Sequence, residues 1–345
     1  MSPTDYFENT LSLFHSLGEF HTDKLRLAGR AVHLCSPSMG LRDRFLPALD
    51  HLVDSMQDDG IPALTIWYAD DRDLPGRLKA PPWTGFNGQG YNDSIYQEDV
   101  QVFFQPWQTQ LFLYSQSRRI GIYWVQKTED VPWWECTFSF RAIFHLWTQD
   151  LPAQLVHAGA MAKNGTGVLI PGPSGSGKST SCLNLLRAGY EYLGDDYVWV
   201  ELGEHVKVFT LYQSAKIEPD NLTQRFGDWE PFITNRERYK QQKAIFNVKD
   251  LYPKAAIGTS LIKGILLPKV AHQEVTLFEK ANATNALMAM APTTLHHLPH
   301  NRQVSYDKFR SISLSLPSYH WRLGRNQKQF IESFDNFMNH ELASY

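Results

Sequence analysis

Two hydrophobic rhythms run along this chain, and each change of rhythm marks an element. Tyr6, Phe7, Leu11, Leu13 and Phe14 recur at helical spacing and predict a short amphipathic helix over 5–16. Residues 25–35 and 63–68 read as strands, and 41–55 as a helix. Gly, Pro, Asn and Asp crowd 70–100 and predict a long loop or flap. The apolar runs 110–114 and 120–125, parted by Ser-Gln-Ser-Arg-Arg, predict a β-hairpin.

The second half opens with a predicted helix over 133–149. Strands are expected at 155–162 and 167–171, joined by a Lys-Asn-Gly turn suited to a hairpin. A helix over 178–188 follows, with Gly189 placed as its left-handed terminator. Residues 190–201 are strand-like, and further strands are expected around 207–217, 244–248 and 261–267. A strand at 319–323 and a helix over 327–339 close the pattern. A chain of 345 residues exceeds what one core usually serves. The boundary is expected near residue 130, with a smaller α+β domain of unassigned role over 1–130 and a second domain over 131–345.

Composition narrows the classes. Hydrophobic residues make up 43% and charged residues 20%, an ordinary globular balance. The net charge of −3, with no long basic run, points away from nucleic acid and from a polybasic membrane anchor. No stretch has the apolar length of a membrane span. The N-terminus lacks a basic segment followed by an apolar one. Cys35, Cys136 and Cys182 are widely separated, which fits a reducing compartment. A soluble, cytoplasmic protein is expected. Its oligomeric state, a homo-oligomer included, stays open.

The chemistry concentrates after the strand at 167–171. Gly172, Pro173, Ser174, Gly175, Ser176, Gly177, Lys178, Ser179 and Thr180 spell G-x-x-x-x-G-K-[ST], the Walker A or P-loop pattern. Glycines let successive backbone N–H groups turn toward an anion, and the following helix adds its positive end. Lys178 is then a cation for the β- and γ-phosphates, and Ser179 a hydroxyl ligand for Mg²⁺. An apolar strand before and an amphipathic helix after supply the context such a loop needs; a loop that merely turns the chain is the alternative.

Asp195 and Asp196 follow that helix as an adjacent pair. Phosphate transfer to a hydroxyl needs one carboxylate near the metal and one base for the departing proton. A capped or solvated turn is the other reading of the pair. His157 lies on the strand expected to pair with the one feeding the loop, within reach of the aspartates if that pairing forms. A histidine satisfied within the core is the alternative.

Taken together, "VHAGAM…GVLIPGPSGSGKST…LLRAGYEYLGDD" resembles the catalytic domain of HPr kinase/phosphorylase and the smaller HPr-kinase-like serine kinases of bacteria, over about residues 133–345. The resemblance implies an α/β fold like the ATP-binding part of phosphoenolpyruvate carboxykinase, a mixed sheet around the P-loop. It implies Asp195 as catalytic base with His157 beside it, and Asp196 as the metal-side aspartate. The Arg-Gly-Leu-Gly signature of true HPr kinase/phosphorylases is missing after Asp196, and Glu218 is a weak substitute, so phosphorolysis and HPr itself are not expected.

Weaker signals remain. Lys216, Arg236, Arg238, Lys240 and Lys243 are candidates for closing over phosphate, Lys216 foremost because of its apolar neighbours; a solvated face is the plainer reading. His296, His297 and His300 suggest no metal, since Pro299 interrupts the helix that would align them. Trp83 and Phe86 are candidates for touching a peptide substrate, with interdomain packing the plainer reading. The expected activity is an ATP- and Mg²⁺-dependent kinase acting on a hydroxyl of a protein or peptide. A non-catalytic ATP-binding switch or scaffold and a small-molecule hydroxyl kinase are the alternatives.

Overall fold

The computed structural model describes residues 1–54, 60–74, 78–271, 273–298 and 302–342. The chain forms two compact units, 1–151 with 296–301, and 152–295 with 302–345. No helix among the described residues is long and apolar enough to cross a membrane.

In the first unit, helix α1 (Pro3–His15) precedes the hairpin of β1 (His21–Leu27) and β2 (Arg30–Ser36). Next come α2 (Met39–Phe45), β3 (Leu64–Asp70), β4 (Val100–Gln105), β5 (Gln110–Ser115), β6 (Ile120–Val125), α3 (Trp133–Thr137) and α4 (Arg141–Trp147). The strands make one mixed sheet in the order β1-β2-β3-β6-β5-β4, and β5–β6 is the expected hairpin. Its alternating side chains serve two layers. Trp67, Leu111, Leu113 and Trp124 meet Phe7, Leu11 and Phe14 of α1. On the other face Tyr68 and Tyr123 pack with Phe45 and Phe140. Phe140 therefore belongs to this core, and the division falls after Leu151 rather than near residue 130.

Local backbone chemistry revised several elements. The strand expected over 25–35 is a hairpin turning at Ala28 and Gly29, with φ of 49° and 77°. Pro47 ends the helix expected over 41–55 early, at Phe45, and 3₁₀ turns follow; Ser55 lies outside the described residues. The helix expected over 133–149 is broken at Phe140, which is left-handed at φ 60°. Trp83 and Phe86 pack edge-on to Tyr6 and Phe104, as plain core contacts.

The second unit contains β7 (Ala153–Val156), β8 (Ala158–Lys163), β9 (Thr166–Pro171), α5 (Lys178–Arg187), β10 (Glu191–Gly194), β11 (Val198–Glu201) and β12 (Lys207–Phe209). After these come β13 (Ser214–Ile217), α6 (Pro219–Arg225), β14 (Ala244–Asn247), α7 (Val248–Leu251), β15 (Thr259–Val270) and β16 (Leu277–Ala281). The last elements are α8 (Ala283–His297), α9 (Arg302–Ser315), β17 (Ser318–Leu323) and α10 (Gln327–Asn336), which runs into a π turn. The main sheet runs β10-β8-β9-β15-β12-β11-β7, with β17 on β15 and β16 on β17; β13 and β14 pair separately. It is a mixed α/β fold. One face of β9 (Val168, Ile170) joins a core with Leu183 of α5 and Phe334 of α10. The other face (Leu169) meets Met290 of α8 and Ile312 of α9. Burial on both sides explains why β9 reads as an unbroken apolar run.

The β8–β9 hairpin turns at Asn164 and Gly165, both at positive φ (54° and 77°), as a two-residue primed turn requires. The two strands expected at 155–162 and 190–201 are each interrupted. Because β7 pairs with β11 while β8 pairs with β10, the breaks at His157 and at Asp195–Tyr197 lie opposite one another.

Candidate active site

The loop 172–177 leaves the C-terminal end of β9 and enters α5 at Lys178. Gly177 sits at φ 101°, a conformation that favours glycine, and a Cβ there would lie 2.5 Å from Leu323 Cδ1, which would have to move. The first N–H groups of α5 have no side-chain cap. Lys178 is 7% exposed. Its Nζ donates to the carbonyls of Gly172 and Pro173, at 2.6 and 3.1 Å. Burial lowers its pKa, and Asp196, Cys182 and Asp195 oppose that.

Behind the loop, a register shift in the β8–β10 pairing near Tyr192 and Gly194 re-aims the chain into the acidic pair. Adjacent residues leave the backbone in different directions, and the two carboxylates meet different surroundings. Asp195 is 2% exposed, and its Oδ2 accepts weakly from the Lys216 backbone N–H at 3.4 Å. Its Oδ1 accepts no hydrogen bond of sound geometry. Burial first, and the neighbouring Asp196 charge second, push its pKa up from 3.8 to about 6. The nearby Cys182 thiol and Tyr192 hydroxyl are kept neutral by burial.

Asp196 is clamped. Lys216 Nζ approaches Oδ2 at 2.6 Å, and His157 Nε2 approaches Oδ1 at 2.5 Å. Burial alone would raise this carboxyl, but Lys216 and His157 overcome it and hold the pKa well below the usual range. His157 is fixed in turn: its backbone N–H donates to Thr294 Oγ1 of α8 at 2.9 Å, and its ring stacks on Tyr197 at 5.1 Å. The histidine expected beside Asp195 therefore lies on Asp196.

Lys216, on β13, is the basic candidate that joins the cluster. Lys243 instead pairs with Glu218 at 3.0 Å, and Arg236 bonds the Pro231 carbonyl. Thr294 and Tyr197 carried no signal in the sequence, since a hydroxyl on a helix and a ring beside an acidic pair match no spacing rule. Pro299 and His300 lie outside the described residues. Among the described residues no group of three or more His, Cys, Asp or Glu side chains could hold a metal ion.

The loop suits a polyanion. Uncapped N–H groups and the Lys178 ammonium are all donors, and the buried Ser176 Oγ lacks a partner. If Mg²⁺ binds here, Ser179 and Asp196 are the residues that would hold it, and an ion with so few protein ligands would keep several waters. Lys216 and His157 occupy two of the lone-pair positions on Asp196 and leave others for a bridging water.

No family model and no curated protein matches this sequence. Among solved structures, the chain is similar to the HPr(Ser) kinase/phosphatase from Coxiella burnetii, at 15% identity over 55% of this chain and 98% of that one, with a TM-score of 0.32; the likeness concerns fold alone.

Proposed function

We propose that the chain is an ATP-dependent kinase that transfers the γ-phosphate to a hydroxyl, of serine or threonine in a protein or peptide. The observation that carries this is the split between two adjacent carboxylates. Asp195 is raised to about 6 with Oδ1 unengaged, while Asp196 is held ionised between Lys216 and His157. Neighbouring acids pushed apart in this way divide the work of base and charge anchor. A structural ion pair needs no second buried acid of raised pKa beside it.

In this reading Lys178 exchanges its loop carbonyls for the β- and γ-phosphates, and the N-terminal amides of α5 hold the remaining oxygens. Ser179 and Asp196 would hold Mg²⁺, which neutralises phosphate charge when bound. The acceptor hydroxyl loses its proton to Asp195 as its oxygen bonds to the γ-phosphorus. The bond from that phosphorus to the β–γ bridging oxygen breaks, and ADP leaves. Above pH 6 Asp195 is ionised and able to take the proton. The fold that suits this chemistry is a phosphoenolpyruvate-carboxykinase-like mixed sheet.

The test is transfer from ATP radiolabelled at the γ-phosphate to a panel of Ser- and Thr-containing peptides and small hydroxyl compounds. Asp195→Asn is expected to lower transfer by about 10²-fold or more with little change in the KM for ATP. Wild-type transfer by this variant excludes Asp195 as base. The closure of Asp196 by Lys216 and His157 also suits a nucleotide-binding switch, which would bind ATP and label no acceptor.

A further inference from the structure

At one end of the first unit's sheet, the β5–β6 turn, the segment before β4 and the end of α4 line an open cavity of about 670 Å³. Its lining includes Tyr114, Arg119, Glu98, Asp99, Asp150 and Trp147. Tyr114 is fully buried, yet its hydroxyl has no hydrogen-bond partner among the described residues. An orphaned buried hydroxyl costs stability unless something else completes it. After burial, the groups that act on this hydroxyl are Asp150, Arg119 and Asp99, all of which line the cavity. Tyr114 itself lines the cavity, and burial keeps its hydroxyl protonated and so a donor.

We infer that this cavity binds a small zwitterion carrying both an ammonium and a carboxylate, a free amino acid or a short peptide. The Arg119 guanidinium and the Glu98 carboxylate make no hydrogen bond or ion pair among the described residues. Asp99 and Asp150 are fixed as acceptors: Asp99 takes the Ser117 N–H at 2.7 Å, and Asp150 the Gln116 amide at 2.5 Å. Arg119 and the Tyr114 hydroxyl are donors for a carboxylate. Glu98, Asp99 and Asp150 are acceptors for an ammonium. With Arg30 the lining carries two guanidinium groups against three carboxylates, so a pure anion such as phosphate meets a net negative wall, and a pure cation leaves Arg119 and Tyr114 unserved. Trp147, Ala63 and Leu151 supply apolar wall for a side chain, and the volume lies within the small-molecule range.

The test is calorimetric titration of the full chain with glycine, leucine, phenylalanine, glutamate, lysine and triglycine. The matched probes are N-acetyl-leucine and leucinamide, each lacking one charge, and inorganic phosphate. At least one zwitterion is expected to bind saturably, with amino acids and triglycine distinguishing the two sources. Blocking either end should weaken binding about tenfold or more, the scale of one charge-assisted hydrogen bond. Arg119→Ala should weaken it similarly, and Tyr114→Phe several-fold; without ligand, Arg119→Ala should melt as the wild type does and Tyr114→Phe no lower. The inference is overturned if no zwitterion saturates by about 10 mM. It is equally overturned if blocked forms or phosphate bind as well, or if both variants bind undiminished.

Discussion

Replacing Asp195 with asparagine is expected to stabilise the second unit while disabling the proposed phosphate transfer. The folded carboxyl titrates at about 6 against 3.8 for an ordinary aspartate. Between those values the folded chain keeps a proton that the unfolded chain has released. Stability therefore falls as pH rises from about 4 to about 6 and stays lowered above that. At about 1.4 kcal/mol per pH unit, the ionised side chain costs about 3 kcal/mol at pH 8. Asparagine fills the same space without charge, so the gap between variant and wild type should be near zero at about pH 4 and about 3 kcal/mol at pH 8. For a unit of this size that is about 6–12 °C in Tm. Scanning calorimetry at the two pH values, following the transition that the substitution moves, measures it. A variant that melts lower than wild type at pH 8, or a gap independent of pH, refutes the reasoning.

Other expectations are narrower. Lys178→Met should weaken binding of a fluorescent ATP analogue about 10–100-fold, the worth of a charge-assisted bond, and unchanged affinity would place the phosphates elsewhere. Lys216→Met leaves Asp196 with His157 alone and should cost about 3 kcal/mol in urea denaturation, the low end for breaking a buried pair. Asp196 acts oppositely to Asp195: its contribution is present above 3.8 and is lost as pH falls through its lowered value. Asp196→Asn should therefore flatten the acid limb of stability seen by tryptophan fluorescence. A Cβ on Gly159 would sit 2.6 Å from Cys182 Sγ. Gly159→Ala should thus cost about 1–3 kcal/mol, and adding Cys182→Ala should recover much of it; strict additivity in Tm would rule out the contact.

Much of the candidate site is legible in the sequence because its signals are local. The glycine loop, the apolar run feeding it and the Asn164-Gly165 turn each declare themselves within a few residues. Lys216 could be singled out by its apolar neighbours but not by its partner, because the 2.6 Å contact with Asp196 depends on β13 lying beside the acidic pair. His157 was foreseen near the aspartates, yet which oxygen it meets is decided by the chain break between β7 and β8, which no hydrophobic period reveals. Where the fold departs from the hydrophobic period, the cause is local punctuation. Ala28-Gly29 turned a strand into a hairpin, Pro47 shortened a helix, and Phe140 adopted a conformation few non-glycine residues take. Phe140 also drew the domain boundary past 130, since its ring contacts lie far upstream.

The strand that carries the glycine loop has one neighbour close in sequence and one remote: β8 precedes it at once, whereas β15 arrives only with Thr259–Val270. On a ribosome, β9 must wait with one edge open until that later segment emerges. Chains truncated before Thr259 should therefore expose an apolar strand edge and aggregate, and the glycine loop should gain its final shape late in folding.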